Sequence, residues 1–348
     1  MRDDSVHEES AFLEGLLTSL GHVRGFVASQ VIFDVLREGL LPLVGAGLGV
    51  AAIAAQKGYR AELLEATLEY LVIEDVLEKR RAPDGAAYGL TPYGRSLERY
   101  AGWFTMFVGG YGPIFGNVAK MMREGTGAAA RVGEWVGAGS CLISQYDTIP
   151  LTKDFMARVS SSPRSIVDFG CGNALYLCTF CESMPEICAV GVEPSRGAYE
   201  AGVRMVRERG LEGRVSLVHC EALDYAIEAP PDFVLFGFVL HELYGQIGEE
   251  ALVRYLTELG RKFSASHLIV MEVDYDIDNH AVMKAPMGRG YYNPYFLLHP
   301  FTGQKLVPRA KWVEMFARAG FELLALEEVD RRVDPSGLGI GLLLRYRG

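Results

Sequence analysis

The two halves of this chain follow different hydrophobic rhythms. Through residue 135, apolar positions recur at helical spacing. VASQVIFDVLREGL carries one such stripe until Gly39 and Pro42 interrupt it. VAAIAAQKG followed by YRAELLEATLEYLVIEDVLEK predicts a helix, a tight turn and a second helix. AAYGLTPYGRSL, punctuated by Gly, Thr and Pro, predicts a wing strand running into another helix. From Ser165 the period changes. SIVDF, ICAVGV, VSLVHC, DFVLFGFVL and HLIVMEV are short apolar runs separated by helix-length segments, the pattern of parallel strands buried on both faces. FELLALEEV and GIGLLLRYR add a closing pair. The expectation is an α/β protein: a doubly wound sheet of seven strands in residues 136–348, preceded by a mainly helical domain in residues 1–135.

Composition narrows the class. With 348 residues, 49% hydrophobic and 22% charged, the chain has the make-up of a soluble two-domain enzyme. A formal charge of −10 disfavours nucleic acid and anionic membranes as partners. The first ten residues are acidic and lack the layout of a secretory signal. Leu40 to Ala55 is the most apolar stretch, but Pro42 and three glycines break it, so it is expected as core and not as a membrane span. Six cysteines without an export signal fit reduced thiols in a cytoplasm. Cys178 and Cys181 form a lone CxxC inside an expected helix, where core thiols are the simpler reading.

One motif specifies a ligand. Asp168-Phe-Gly170-Cys-Gly172-Asn-Ala174 leaves the first strand of the sheet and opens a helix. Its glycines allow a sharp turn and close approach of backbone to ligand. Glu193 follows the second strand, 25 residues after Asp168, where a carboxylate accepts both hydroxyls of a ribose. Glu221 and Ala222 follow the third strand, at the place of an adenine contact, and Phe238 follows the fourth. Together these residues resemble the class I S-adenosyl-L-methionine (SAM)-dependent methyltransferases, with their Rossmann-like domain. The chain departs from that family's motif at Ala174, where a third glycine is usual, and at Glu221, where aspartate is commoner. An NAD-dependent dehydrogenase is the competing reading of a glycine loop and an acid; the acidic start of the loop and the closing strand pair speak against it. Tyr146, just before the domain, is a further candidate contact for the SAM carboxylate.

The helical half resembles a winged helix. Its expected recognition helix, between Arg60 and Glu78, holds one basic and six acidic residues, which phosphates would repel. Winged helices also serve as dimerisation domains of small-molecule methyltransferases, and that resemblance implies a homodimer.

Val239-Leu240-His241-Glu242 ends the fourth strand, so His241 is expected beside the transferring methyl. In O-methyltransferases of this architecture a histidine here is the general base, with Glu242 then orienting it. A second resemblance rests on LHE and on the aromatic segment from Tyr275 to Pro300, RGYYNPYFLLHP at its end, expected as a long lid loop. Both resemble the α-keto acid C-methyltransferases of nonribosomal-peptide pathways, which methylate the β-carbon of phenylpyruvate, α-ketoleucine or 2-ketoarginine. That family holds a metal on two histidines, matched here by His241 and His299. The resemblance implies a divalent or ferric ion, Fe or Zn, an α-keto acid substrate, and Arg131 as a clamp for the substrate carboxylate. Some members add a methionine at the position of Phe238. His219, His267 and His280 are expected to be structural or solvent-facing.

Overall fold

A computed structural model describes residues 2–82, 85–222, 224–226 and 229–348, with side chains described from residue 11 on and outside 81–86. The chain divides into two compact units, Met1–Gly109 and Gly110–Gly348. The boundary therefore falls earlier than the expected 135/136. Residues 110–135 fold with the sheet domain, to which Arg131 is tied by its pair with Glu242 at 2.7 Å.

The first unit is helical. Arg2–Arg37 forms one long helix, followed by Leu40–Gly45, Val50–Lys57 and Ala61–Ile73. Strands β1 (Leu77–Ala82) and β2 (Gly85–Leu90) then pair as an antiparallel hairpin. In Ala61–Ile73, Leu64, Leu68 and Leu71 face the core one turn apart, while Glu62 and Glu65 face solvent. Leu40, Leu41, Val44, Ile53 and Ala54 are buried in the same core, as expected of the Leu40–Ala55 stretch.

The second unit carries one seven-stranded sheet in the order β5-β4-β3-β6-β7-β9-β8. The strands are β3 (Ser165–Phe169), β4 (Cys188–Val192), β5 (Val215–Val218), β6 (Phe233–Gly237), β7 (His267–Val273), β8 (Phe321–Glu328) and β9 (Gly339–Tyr346). β3 to β7 are parallel; β9 inserts antiparallel between β7 and β8. Both faces are covered at the central strands, where the side chains of β6 and β7 alternate between two cores; the edge strand β8 is more exposed and carries a bulge between Leu323 and Ala325. Val234, Phe236, Leu268 and Val270 enter the core beneath helices Glu249–Lys262 and Arg309–Arg318; Phe233, Leu235, Ile269 and Met271 enter the one beneath Thr148–Val159 and Leu175–Ser183. Cys178 and Cys181 are fully buried free thiols in the latter.

The segment expected as a lid loop is largely helical. His280–Met283, a π-helical turn at Gly288–Tyr292 and Asn293–Phe301 carry it, packing Tyr292, Tyr295, Phe296 and Leu298 inward at helical spacing.

Gly341 lets helix Thr148–Val159 lie close on the sheet. A Cβ there would stand 2.8 Å from Leu151 Cδ2, 2.9 Å from Phe155 Cε2 and 3.0 Å from Met271 Sδ. Gly341→Ala should therefore lower stability by about 1–3 kcal/mol through overpacking. Urea denaturation measures this, and an unchanged midpoint would contradict the close contact.

Candidate active site

The chain runs from β3 outward to β4 and β5, then returns to place β6 on the other side of β3. Such a reversal opens a crevice at the carboxyl ends of the two central strands. A cavity of about 380 Å³ lies there, within the ordinary range for small-molecule sites. Gly170, Gly172, Glu193, Glu221, Ala222, Phe238, Glu242 and Arg131 all line it. Asp168 lines a smaller adjoining cavity with Tyr176 and Phe238.

The glycine loop is held from the second strand. Gly170 and Gly172 adopt left-handed backbone (φ 75° and 57°), and a Cβ on Gly170 would meet Val239 Cγ2 at 2.4 Å. Glu193 accepts from Gly172 N and Ser195 N, each at 2.8 Å, so its carboxylate both shapes the loop and faces the cavity. Ala174, in the place of the third glycine, is itself left-handed (φ 61°), a strain of about 1 kcal/mol carried by a fully buried residue. Phe238 is also left-handed (φ 60°). Asp168 is 3% exposed; burial and then the charge of Glu193 push its carboxyl well up. Burial likewise raises Glu193, against the two backbone donors. Two buried acids on adjoining cavities suit a cationic ligand.

Tyr146 lies elsewhere. It is 39% exposed and is not among the cavity-lining residues.

His241 sits on the first turn of helix Leu240–Ile247, not on the strand end, because β6 stops at Gly237. Its orienting carboxylate is not Glu242. The fully buried Glu272, on β7, accepts from His241 Nδ1 (2.8 Å) and from His241 N (3.2 Å). Burial works against the His241 imidazolium, but the charge and hydrogen bond of Glu272 prevail and raise the pKa. Glu242 points the other way. Arg131 grips it with Nη1 at 2.7 Å and Nη2 at 2.8 Å, and Gln304 Nε2 donates to it at 2.7 Å. Burial alone would raise the Glu242 carboxyl; the Arg131 fork holds it below the ordinary range. Arg131 is thus engaged by a protein carboxylate in this structure.

His299 is in the last turn of helix Asn293–Phe301 and 2% exposed. Its ring centroid is 4.9 Å from that of His241. Its Nδ1 donates to Tyr295 O, which leaves Nε2 with the lone pair, buried and without a hydrogen-bond partner. Burial, then His241, press its pKa well down, so the ring is neutral. Of the remaining histidines, His219 and His280 are exposed and His267 is half-buried. Glu272 and Gln304 were not legible as site residues; the acid late in HLIVMEV was the one available signal for Glu272.

The reversal, the glycine loop clasped by an acid and the antiparallel β9 set between β7 and β8 match the architecture expected of the class I SAM-dependent methyltransferases. Comparisons with known proteins agree. No family model matches the chain. A 2-ketoarginine methyltransferase of Streptomyces arginensis is 34% identical over 341 residues, 95% of this chain and 96% of the relative. The chain belongs to the same family of SAM-dependent methyltransferases as that enzyme. Human N-acetylserotonin methyltransferase in complex with SAM has the same fold (TM-score 0.67, 15% identity, covering 94% of this chain and 96% of that one). So does the mitomycin 7-O-methyltransferase MmcR (TM-score 0.64, 16% identity, covering 97% and 99%).

Glu193→Ala should weaken SAM binding by about 1.5–3 kcal/mol, the loss of a charge-assisted hydrogen bond. Calorimetry on the folded variant checks this; unchanged affinity would remove Glu193 from the cofactor site.

Proposed function

We propose that the protein methylates the β-carbon of an α-keto acid, with a metal ion assisting, to make a β-methyl amino acid precursor for a peptide natural product. The observation that carries this reading is the imidazole pair. His241 and His299 face each other with both Nδ1 atoms engaged, so each has only Nε2 left to offer, and the Nε2 of His299 is a buried orphan. A metal-ligating histidine has this arrangement, its second nitrogen donating to a carboxylate or a carbonyl. Among the described residues no group of three or more His, Cys, Asp and Glu side chains is arranged for a metal. The two histidines fit a site that keeps its other positions for water and a bidentate substrate, and imidazole suits Fe or Zn. When bound, such an ion supplies Lewis-acid charge to the oxygen that becomes negative as the β-carbon loses its proton.

The chain's own groups complete the reading. Glu272 fixes the His241 tautomer. Asp168 and Glu193 favour the sulfonium-bearing cofactor. Arg131 lies at the cavity wall, where a substrate carboxylate competing for its fork would displace Glu242. The relative's name, 2-ketoarginine methyltransferase, supports a keto acid acceptor.

A second reading has one observation in its favour. The His241–Glu272 pair is also that of a general base and its orienting carboxylate, as an O-methyltransferase needs. It leaves the orphaned Nε2 of His299 without a purpose.

His241→Ala and His299→Ala should each lose bound metal and methyl transfer together, with SAM affinity unchanged. Elemental analysis, activity and calorimetry on the same preparations check this. If chelation leaves the wild type fully active on a phenol and His299→Ala matters little, the O-methyltransferase reading holds.

We further propose a homodimer formed through residues 11–120. The long N-terminal helix supports it, exposing Phe12 (72%), Leu17 (60%) and Phe26 (68%). By length and composition Ala11–Arg37 also passes for a membrane span. Arg24, however, pairs with Glu74 at 2.8 Å, which ties the middle of the helix to its own unit. Light scattering should give twice the chain mass at micromolar concentration, and a monomer would contradict the dimer.

A further inference from the structure

Gln304 lies behind the cavity wall. It is 8% exposed and does not line the cavity, whereas Glu242 and Arg131 both do. Its amide is held in one orientation. Thr302 Oγ1 donates to Gln304 Oε1 at 2.8 Å, which turns Nε2 toward Glu242 Oε1 at 2.7 Å. Arg131 Nη1 donates to the same oxygen at 2.7 Å, and Nη2 donates to Oε2 at 2.8 Å. Glu242 thus holds three donors, two from a cation and one from a neutral amide.

The backbone sets Gln304 in that place. Gln304 N donates to His299 O (3.0 Å) and Lys305 N to His241 O (3.1 Å), so the turn 302–305 joins the two helices that carry the histidines. Gly303 takes the left-handed φ of 72° that the turn requires. Helix Leu240–Ile247 meets the turn at Gly245, where a Cβ would collide with Gly303 O and stand 2.9 Å from Gln304 Cα.

The third donor matters when the Arg131 fork is taken. An acceptor carboxylate on both Nη groups removes two of the three donors of Glu242 at once. A half-buried carboxylate stripped of every donor carries a desolvation penalty that opposes the exchange. Gln304, behind the wall, keeps its bond to Glu242 throughout.

We propose that Gln304 is a positioning residue for the acceptor: it holds Glu242 while the acceptor carboxylate takes the Arg131 fork, so that the exchange leaves no bare carboxylate in the cavity wall. The proposal rests on the keto acid reading above, which puts the acceptor carboxylate at Arg131, and deepens it. The residue acts on acceptor affinity and not on the transfer step or the cofactor.

The test measures KM and kcat in the wild type, Gln304→Met, Gln304→Leu, Glu242→Gln and the double variant Glu242→Gln with Gln304→Met. The probe is whichever of phenylpyruvate, α-ketoleucine and 2-ketoarginine the wild type methylates fastest. Met and Leu each remove the donor at nearly constant volume and keep the backbone bonds of the turn, so either variant that folds serves. Each should raise KM for the keto acid about 10-fold and leave kcat within about threefold. SAM affinity by calorimetry and bound metal by elemental analysis should not change. In the Glu242→Gln background no bare carboxylate can form, so Gln304→Met should change KM by less than about twofold. Equal KM effects in the two backgrounds, or a loss of kcat, metal or SAM affinity with KM unchanged, would overturn the proposal in favour of a structural role for the turn. Unchanged kinetics in a variant of an enzyme that methylates a keto acid would overturn it alone, whereas no methylation of any of the three acids would overturn the keto acid reading with it.

Discussion

Everything in the catalytic unit depends on the reversal of strand order at β3. Because β4 and β6 both pair with β3, the connections leaving them part on opposite faces, and the crevice between them cannot be filled by either. The glycine loop, Glu193, Glu221, Phe238 and His241 follow the ends of four successive strands, so the topology brings them together despite their spacing along the chain. Glu272 joins them from the fifth strand, β7.

Charge placement divides that crevice into two regions. On the β3–β4 side Asp168 and Glu193 are buried, and among the described residues neither forms an ion pair, a costly arrangement that a positive ligand relieves. On the β6–β7 side every charge has a partner: His241 with Glu272, Arg131 with Glu242. The neutral His299 stands between these pairs with one nitrogen unspent. In the proposed reading, cofactor binding and acceptor chemistry draw on separate sets of residues, and the loss of one set should leave the other working.

Continuous burial made the central strands legible, since both faces of the sheet are covered there and β3, β6, β7 and β9 read as apolar runs. The glycine loop and Glu193 were legible because their spacing is fixed by strand, turn and helix. Side-chain partnership was not. Glu242 is adjacent to His241 in sequence, yet neighbours on a helix point apart, so it turns to Arg131 and leaves Glu272, 31 residues away, as the partner of His241. The Tyr275–Pro300 segment reads as a loop because Gly288, Gly290 and Pro294 punctuate it; the helices form there because packing of Tyr292, Tyr295, Phe296 and Leu298 overrides that local preference. The helix at Ala11–Arg37 was missed as an apolar surface because its stripe is diluted by polar residues, whereas Leu40–Ala55 is denser and sends Leu40, Leu41, Val44, Ile53 and Ala54 into the core.

The central claim is that the methyl group is transferred to carbon, and the most direct measurement is the position of the label after turnover. With SAM carrying a ¹³C-methyl group and a keto acid labelled with ¹³C at the β-carbon, carbon NMR of the product should show the new methyl coupled directly to the β-carbon. A methyl resonance in the methoxy region, without that coupling, would contradict the account and make the protein an O-methyltransferase.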